Sequence, residues 1–460
     1  MGPRRRLVAL AVATATVAGA WWRITAPEDG APVTPSSPVA SPRSGGAPAG
    51  RTASASVPVA VASAGRTAIA PTSRAPSDAA SSVEVCGFGR VATPGDATVE
   101  GDPRWRAAAR ATEQRLFAAL RDRGDAPSLA LALLLQARSE ASDDVREASR
   151  HAATICGGDP ACVQRQVEER VARSSAGDRE TDALARLAAA SRDPFVRAIG
   201  LEACASSRRG SGGTAVAACA MLNESQWAAL EPGNAIAWLR AATAASAAGD
   251  AQGVDAALLR ASRAAGARLY GDAVYGLVAD AVPADAGEAE RTAAHRVGLQ
   301  AVERWTLPAY LTATRWCTRD AVRDTARREA CGDLATALAE RGATLMDIGM
   351  GIAIARRIDP TPTRADAWEM RRDALLAALP GPADPADLTS CAAVAASRSL
   401  WTRAARKGEV GALQEMLAAS GLTAASAAER TRVRRTEALH AAMAAASAPA
   451  AASTSASTPR

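Results

Sequence analysis

Eight cysteines are the residues of this chain best suited to a defined chemical role. They lie at Cys86, Cys156, Cys162, Cys204, Cys219, Cys317, Cys331 and Cys391. An even number of cysteines is typical of disulfide bonds in exported proteins. Metal ligation would need another pattern, because the chain has no Cys-x-x-Cys pair and its histidines, His151, His295 and His440, are far apart. We therefore predict disulfides and no metal, with free buried thiols as the alternative for some cysteines.

Sequence separation indicates which cysteines pair, although eight cysteines admit 105 pairings and sequence alone leaves the connectivity open. Three predicted pairs each enclose a short turn or join neighbouring helices: Cys156 with Cys162, Cys204 with Cys219, and Cys317 with Cys331. The remaining pair is Cys86 with Cys391, which would join the start of the folded body to its C-terminal part.

Sequence motifs for an activated nucleophile, a catalytic metal or a bound phosphate are absent. The chain contains no Gly-x-Ser-x-Gly, no His-Glu-x-x-His and no Gly-Lys-Ser/Thr. The glycine-rich stretch 208–213 is therefore interpreted as a turn. We predict no cofactor and no catalytic residue.

The apolar stretch 345–355 contains two glycines in a spacing that echoes a dinucleotide fingerprint, but no strand precedes it. A buried helix whose glycines allow close backbone approach explains the same residues. Asp347 within it would need a partner, and the nearby Arg356 and Arg357 are the predicted candidates.

Carboxylate pairs leave one enzymatic alternative open. The pairs are Asp143 with Asp144, Glu168 with Glu169, and Asp178 with Glu180. Each lies on an arginine-rich predicted helix, where surface ion pairs are the ordinary explanation. The alternative is a cell-wall hydrolase that uses carboxylates in a cleft between helices.

The elements that must position these residues are predicted to be helices. Alanine, leucine and valine dominate the apolar residues, and only 3% of the chain is aromatic. An Asp-Pro pair, which suits a helix start, occurs at Asp102, Asp159, Asp193, Asp359 and Asp384. We find no strand-like alternation and predict roughly fourteen to seventeen helices joined by short loops.

Six tryptophans lie on apolar faces of these predicted helices and are interpreted as core residues. They are Trp227, Trp238, Trp305, Trp316, Trp368 and Trp401.

Residues 235–262 carry the spacing of one helical repeat. The positions that match are Trp238, Gly249, Asp250, Val254, Leu258 and Ala261. This segment resembles a tetratricopeptide repeat, in which a tryptophan on the first helix packs against small residues of the second across a Gly-Asp turn. The resemblance implies an array of stacked helix pairs that presents a concave surface to a peptide or a partner protein.

The N-terminal region differs from the rest of the chain. Arg4, Arg5 and Arg6 precede an apolar run at residues 7–22, so residues 1–25 are predicted to be a signal peptide or a membrane anchor. We favour the retained anchor, with cleavage after residues 18–20 as the alternative.

Composition divides the remainder of the chain. Residues 26–82 are a predicted disordered linker rich in proline, alanine and serine, and residues 441–460 a disordered tail. Residues 83–440 form the predicted all-helical body, with a sub-boundary near 280–306.

Together these features predict an all-α protein, an α-solenoid-like array of antiparallel helix pairs, partly tetratricopeptide-like and braced by disulfides. The predicted function is a non-catalytic protein-protein interaction or scaffold module of the bacterial cell envelope. The predicted location is the periplasm, anchored to the inner membrane, or secretion if the signal is cleaved. A net charge of +6 over 460 residues is too small to indicate nucleic acid as the partner. The expected partner is a protein or peptide, with the membrane contacted only through the N-terminal segment.

Overall fold

A computed structural model describes residues 81–93, 103–210, 216–303, 305, 310–359, 363–379 and 389–447. The predicted anchor at 1–25 and most of the linker and tail lie outside these residues. Within them the chain forms sixteen α-helices, two short 3₁₀ turns and one β-hairpin. The all-α prediction and the predicted number of helices are thus confirmed.

The first half of the body begins with the hairpin and contains eight helices. The strands are β1 (Ser81–Val85) and β2 (Gly89–Thr93). The helices are α1 (Pro103–Asp122), α2 (Ala126–Cys156), α3 (Pro160–Val171), α4 (Asp178–Ala190), α5 (Pro194–Gly210), α6 (Glu224–Leu230), α7 (Ala235–Ala247) and α8 (Ala251–Ser262).

The second half contributes another eight helices. They are α9 (Gly271–Asp280), α10 (Glu288–Glu303), α11 (Tyr310–Trp316), α12 (Thr325–Arg341), α13 (Leu345–Ile358), α14 (Thr363–Ala377), α15 (Cys391–Ala419) and α16 (Ala424–Ser447). No helix among the described residues is long and apolar enough to cross a membrane.

Two of the five predicted Asp-Pro helix starts cap a helix among the described residues, whereas Asp359 lies at the C-terminal end of α13. The side chain of Asp159 accepts a hydrogen bond from the amide of Ala161 at the start of α3. Asp193 does the same for the amide of Phe195 at the start of α5. In both cases proline occupies the first helical position, where its missing N–H leaves no bond unmade.

Helices that follow one another in sequence pack side by side. The pairs α2 with α3, α4 with α5, α7 with α8, α9 with α10 and α12 with α13 are all in contact. Helix α15 is a longer exception that packs against α9, far from it in sequence. Its helical geometry is interrupted at Gly408, whose φ of 75° bends the helix.

The hairpin corrects the expectation that the body has no strand. Val83 lies opposite Val91 in the antiparallel ladder, and Val85 and Val91 bury one face of the hairpin against Trp105 of α1. The apolar alternation spans only a few residues, which is why the sequence pattern did not reveal it. The hairpin also begins at Ser81, inside the predicted linker.

The turn of the hairpin holds the starts of two helices. Gly87 has a φ of 81°, and a side chain there would collide with the backbone of Ala289 in α10. The amide of Cys86 donates to the carbonyl of Thr389, just before α15, at 2.9 Å. The hairpin therefore fixes the N-terminal ends of both α10 and α15.

All eight cysteines are paired, and the pairing is the predicted one. The disulfides join Cys86 to Cys391, Cys156 to Cys162, Cys204 to Cys219, and Cys317 to Cys331. Three of them close local segments with sequence separations of 6, 15 and 14 residues. The fourth spans 305 residues.

The predicted tryptophan core is largely confirmed. Trp227, Trp238, Trp305, Trp316 and Trp368 are each 8% exposed or less. Trp401 is only half-buried, and its ring lies 5.8 Å from that of Tyr275. Large aromatic side chains thus fill gaps in a core otherwise built from alanine and leucine.

Candidate functional site

A two-lobed depression on the surface of α9, α10 and α15 is the candidate functional site, and we call it the arginine groove. Its first lobe has a volume of about 610 Å³ and its second about 310 Å³. The two lobes share Ala279, Thr402 and Arg406. The groove is therefore elongated, with Thr402 and Arg406 of α15 at its centre.

Close packing of small residues brings these three helices together. A side chain at Gly276 of α9 would lie 2.9 Å from the Cβ of Ala405 in α15. A side chain at Gly298 of α10 would lie 2.8 Å from the ring of Tyr275 in α9. Only glycine fits at these two positions without displacing a neighbour, so the sequence itself sets the spacing of the groove walls.

The first lobe has a mainly apolar wall. Val278, Val282, Pro283 and Ala294 line it together with the ring of Tyr275. In the second lobe the corresponding residues are Pro127, Phe195 and Leu277. Each lobe can thus hold an apolar side chain of a ligand.

A polar network fixes the floor of the first lobe. The hydroxyl of Tyr275 lies 2.7 Å from Nδ1 of His295, and Nε2 of His295 lies 3.0 Å from Oγ of Ser397. Burial, assisted by the charge of Arg398, lowers the pKa of His295 to about 4, so the imidazole is neutral at pH 7. Burial also raises the pKa of Tyr275 to about 12.

The network of Tyr275, His295 and Ser397 is suited to orienting side chains and poorly suited to catalysis. An imidazole with so low a pKa is a weak base for activating the Ser397 hydroxyl. The Ser397 hydroxyl is hydrogen-bonded to His295 of α10, and Ser397 is not among the residues that line either lobe. We therefore interpret His295 as a positioning residue that links α9, α10 and α15.

Most of the charged residues that line the groove are arginines. Its lining residues include four arginines and one carboxylate, that of Asp280 in the second lobe. The arginines are Arg291, Arg398, Arg403 and Arg406. Among the described residues no carboxylate lies within ion-pair distance of Arg403 or Arg406, and both are exposed.

The other two arginines share a single carboxylate. Glu288 lies 3.0 Å from Arg398 and 3.8 Å from Arg291. One nitrogen of Arg398, Nη1, is buried with no hydrogen-bond partner among the described residues. The groove thus keeps an excess of positive charge after its internal pairs are formed, and an anionic ligand would match it.

A second depression lies between α2, α3 and α4 and has a volume of about 760 Å³. We call it the mixed-charge cleft because its lining contains both signs of charge: Glu140, Asp144 and Glu180 with Arg170, Arg173 and Arg179. Gln136 donates to both Glu140 and Glu180, at 3.0 and 3.2 Å.

Glu180 is the most buried carboxylate of the mixed-charge cleft, 4% exposed. Burial acts to raise its pKa, but hydrogen bonds led by that from Arg179 outweigh burial and hold the pKa below its ordinary value. Asp144 is paired more loosely with Arg170, at 3.8 Å. The sequence analysis listed Asp144 and Glu180 in different pairs, and the fold brings them to one cleft with Glu140.

A third cluster consists of three carboxylates near the bend of α15, and we call it the carboxylate cluster. Asp347 is fully buried, whereas Glu409 and Asp272 are half-buried. Burial raises the pKa of Glu409 to about 7, and the charges of Asp347 and Asp272 add to this rise. Burial likewise raises the pKa of Asp272 to about 6.

The predicted partners of Asp347 were wrong. Its carboxylate accepts hydrogen bonds from the hydroxyl of Tyr310 at 2.7 Å and from the hydroxyl and amide of Thr344 at 2.8 and 2.9 Å. Arg357 instead donates to a backbone carbonyl in α11, and Arg356 pairs with Glu369 of α14. Neutral donors and a capping box replace the expected ion pair, because Asp347 lies in the first turn of α13 and the arginines in its last.

The predicted buried helix at 345–355 is present as α13. A side chain at Gly351 would come within 2.6 Å of the carbonyl oxygen of Ala335 in α12. Glycine therefore allows the close helix contact that the sequence indicated.

The repeat-packing residues meet in the hairpin of α7 and α8. Gly249 has a φ of 73° in the turn, and Asp250 caps α8 by accepting from the amide of Gly253 at 2.8 Å. Leu258 and Ala261 are fully buried, and Val254 is partly buried against the same core. The guanidinium of Arg260 lies 5.0 Å from the Trp238 ring, which also donates to the carbonyl of Pro232.

The sequence analysis missed the arginine groove. The basic run at residues 430–435 of α16 is partly neutralised instead, because Arg435 pairs with Asp373 at 2.8 Å and Arg432 with Glu429 at 2.8 Å. A detectable signal was present in α15, because residues 391–408 contain four basic side chains and no acidic one. The lobes themselves depend on α9 and α10, which lie more than a hundred residues earlier in the chain.

No protein-family model, curated protein or solved structure matches the chain. The described residues contain no group of three or more histidine, cysteine, aspartate or glutamate side chains placed to hold a metal ion.

Proposed function

We propose that the protein is a non-catalytic interaction or scaffold module of the bacterial cell envelope, and that the arginine groove is its binding surface. The observation that carries the proposal is the excess of arginine over carboxylate along an elongated depression with apolar walls. Such a surface fits a partner better than a reaction, because the pKa of about 4 makes His295, the imidazole that lines the groove, a weak base.

The α7–α8 hairpin supports a tetratricopeptide-like origin for part of the array. The features that support this proposal are its glycine turn, its capping aspartate and its buried Leu258 and Ala261. A repeat array uses its surface for binding, which agrees with an interaction role.

An envelope location is part of the same proposal. Residues 1–25 would hold the protein to the inner membrane, residues 26–82 would serve as a tether, and the body would lie in the periplasm. Four disulfides are compatible with an oxidising compartment. Mass spectrometry of the protein recovered from its native envelope, with and without reduction, would test this, and free thiols throughout would contradict it.

Site-specific photo-crosslinking in intact cells tests the binding role. A photoreactive side chain is placed at Ser399, which is exposed and lines the first lobe. A matched control places it at Arg323, whose side chain is 81% exposed on a different part of the body. We expect a discrete adduct from position 399 alone, and we expect the double substitution Arg403→Glu with Arg406→Glu to abolish it. No adduct at 399, or an adduct that survives the double substitution, would contradict the proposal.

A cell-wall hydrolase is the second candidate function, and the mixed-charge cleft is the observation that favours it. Glu140 and Glu180 share Gln136 as a hydrogen-bond donor, so two carboxyl groups lie close together at an open depression. Incubation with purified peptidoglycan, followed by chromatography of soluble fragments, tests it. Release of fragments that stops in Glu180→Gln would support the hydrolase, and no release from the unsubstituted protein would exclude this substrate.

A further inference from the structure

The chemistry of the arginine groove indicates what kind of ligand it accepts. Arg403 and Arg406 are three positions apart on α15. Both guanidinium groups therefore project from the same side of the helix. Neither has a carboxylate at ion-pair distance among the described residues. Arginine binds carboxylates in a paired, planar geometry, so acidic side chains suit these positions.

The shape of the groove favours a chain-like ligand over a flat surface. The lobes lie on either side of a centre formed by Thr402 and Arg406, and their combined lining runs from Pro283 to Pro127. A bilayer surface is flat on this scale and cannot enter two adjoining depressions. An extended peptide can place successive side chains into both lobes.

Apolar and hydrogen-bonding side chains both line the groove. Val278 and Val282 line the first lobe, and Phe195 and Leu277 line the second. The hydroxyl groups of Ser399 and Thr402 lie on the α15 side, where they can bond to a peptide backbone. The pattern suits a peptide in which apolar residues accompany acidic ones.

Two segments of the same chain, residues 26–82 and 448–460, are poor occupants of the groove because of their charge. Residues 26–82 contain four arginines against three acidic residues, and residues 448–460 contain one arginine and no acidic residue. Neither of these two segments carries the negative charge that would complement the groove. The short segments 94–102 and 380–388 contain three and two carboxylates, so the adduct at position 399 must exceed the mass of the chain alone to place the occupant on another molecule.

We infer that the arginine groove binds an extended acidic peptide segment of a partner protein, whose carboxylates contact Arg403 and Arg406 and whose apolar side chains fill the two lobes. This inference rests on the proposed binding function and makes it specific. The centre of the groove sets the charge preference, and the lobes set the preference for apolar residues.

Fluorescence anisotropy with the purified full-length protein tests the ligand class. The probes are three labelled twelve-residue peptides: one alternating glutamate with leucine, one alternating lysine with leucine, and one alternating glutamate with serine. We expect the glutamate-leucine peptide to bind at least tenfold more tightly than either of the others, because it alone satisfies both charge and apolar contacts. Equal binding of all three peptides would overturn the inference.

Two variants distinguish the contribution of charge to peptide binding from the contribution of groove shape. Arg403→Gln with Arg406→Gln should weaken binding of the glutamate-leucine peptide by about tenfold and reduce its dependence on salt. Ser399→Trp should also weaken it, because an indole at this exposed position of α15 would occupy the first lobe without changing the charge. The matched control is Arg430→Gln with Arg434→Gln, which removes two exposed arginines from α16 and should change nothing.

Sedimentation with phosphatidylglycerol vesicles provides the competing outcome. Vesicle binding that disappears in Arg403→Gln with Arg406→Gln, combined with no peptide binding, would assign the groove to anionic lipid and overturn the inference. If the peptides fail while the crosslink at position 399 persists, the ligand class is wrong and the proposed binding function stands. If the peptides and the crosslink both fail, both proposals fall.

Discussion

The mixed-charge cleft and the arginine groove use arginine in opposite ways. In the cleft, Arg170 and Arg179 face Asp144 and Glu180, so each charge is neutralised within the fold. In the groove, the exposed Arg403 and Arg406 have no carboxylate at ion-pair distance among the described residues. The lining of the cleft contains three carboxylates and three arginines, whereas the lining of the groove contains four arginines and one carboxylate. Paired charges hold helices together, whereas unpaired charges remain free to meet a ligand.

The same contrast extends into the interior. Near the cleft, Glu202 is fully buried between Arg138 at 3.3 Å and Arg240 at 3.6 Å. Near the groove, the carboxylate cluster gathers three acidic groups with no such counter-charge among its hydrogen-bond partners. Removing a charge should therefore have opposite effects on stability in the two regions.

The largest effect is expected from Glu202→Gln. This substitution removes the buried carboxylate that Arg138 and Arg240 share, and although Arg240 keeps Glu224 at 3.7 Å, breaking a buried ion pair costs about 3–5 kcal/mol. Equilibrium denaturation with urea measures the loss. The control is Glu168→Gln on exposed α3, which should change the free energy of unfolding by less than about 0.5 kcal/mol. If Glu202→Gln lowers the free energy of unfolding no more than this control does, the contrast between the two regions is wrong.

A smaller change in the free energy of unfolding, of opposite sign, is expected from Glu409→Gln. Glu409 has a pKa of about 7 in the folded protein, above its ordinary value of 4.5, so its ionisation destabilises the fold. Between these values the folded protein retains a proton that the unfolded chain has lost, and stability falls as pH rises. The substitution should raise the free energy of unfolding by about 1–2 kcal/mol at pH 8, since the side chain is only half-buried.

The pH dependence of this second effect makes it specific. At pH 4 the protonated Glu409 resembles glutamine, so the gain should disappear there. His295 acts in the other direction: its pKa of about 4 in the fold lies below the ordinary 6.5, so stability falls as pH falls through this window. Comparing the two proteins at each pH cancels the histidine contribution. A gain from Glu409→Gln that is the same at pH 4 and pH 8 would contradict the assignment.

The smallest effect is expected from Arg403→Gln with Arg406→Gln. Because both side chains are exposed and unpaired among the described residues, stability should change by less than about 0.5 kcal/mol, while binding of the glutamate-leucine peptide weakens by about tenfold. Thermal unfolding of the double variant checks this. A marked drop in stability would mean that these arginines serve the fold, and the contrast with the cleft would then disappear.

Sequence reasoning was most successful where the interacting residues are close together in the chain. Cys156 with Cys162 and the Asp159 cap of α3 are local, and their pairing follows from turn and helix chemistry. The bond between Cys86 and Cys391 was obtained only because the other cysteines were already assigned. The helical class followed from composition, which averages over the whole body.

Features that join distant segments were missed. Asp347 finds Tyr310 because α11 packs against α13, which the sequence around Asp347 does not specify. The groove needs α9 and α15 to touch at Gly276 and Ala405, and no local pattern predicts that contact. The basic character of α15 was visible in the sequence, but the lobes beside it were not.

The disulfide between Cys86 and Cys391 is the last of the four that a growing chain can form, and this determines when the arginine groove is completed. Cys86 cannot meet Cys391, at a sequence separation of 305, until the chain between them has been synthesised, whereas the other three bonds can close as soon as their short segments emerge. That last bond holds the start of α15 against the hairpin, and the hairpin also touches α10. A nascent chain would therefore fix the walls of the arginine groove last, and under the proposed function a partner would meet only a molecule in which Cys86 and Cys391 are already joined.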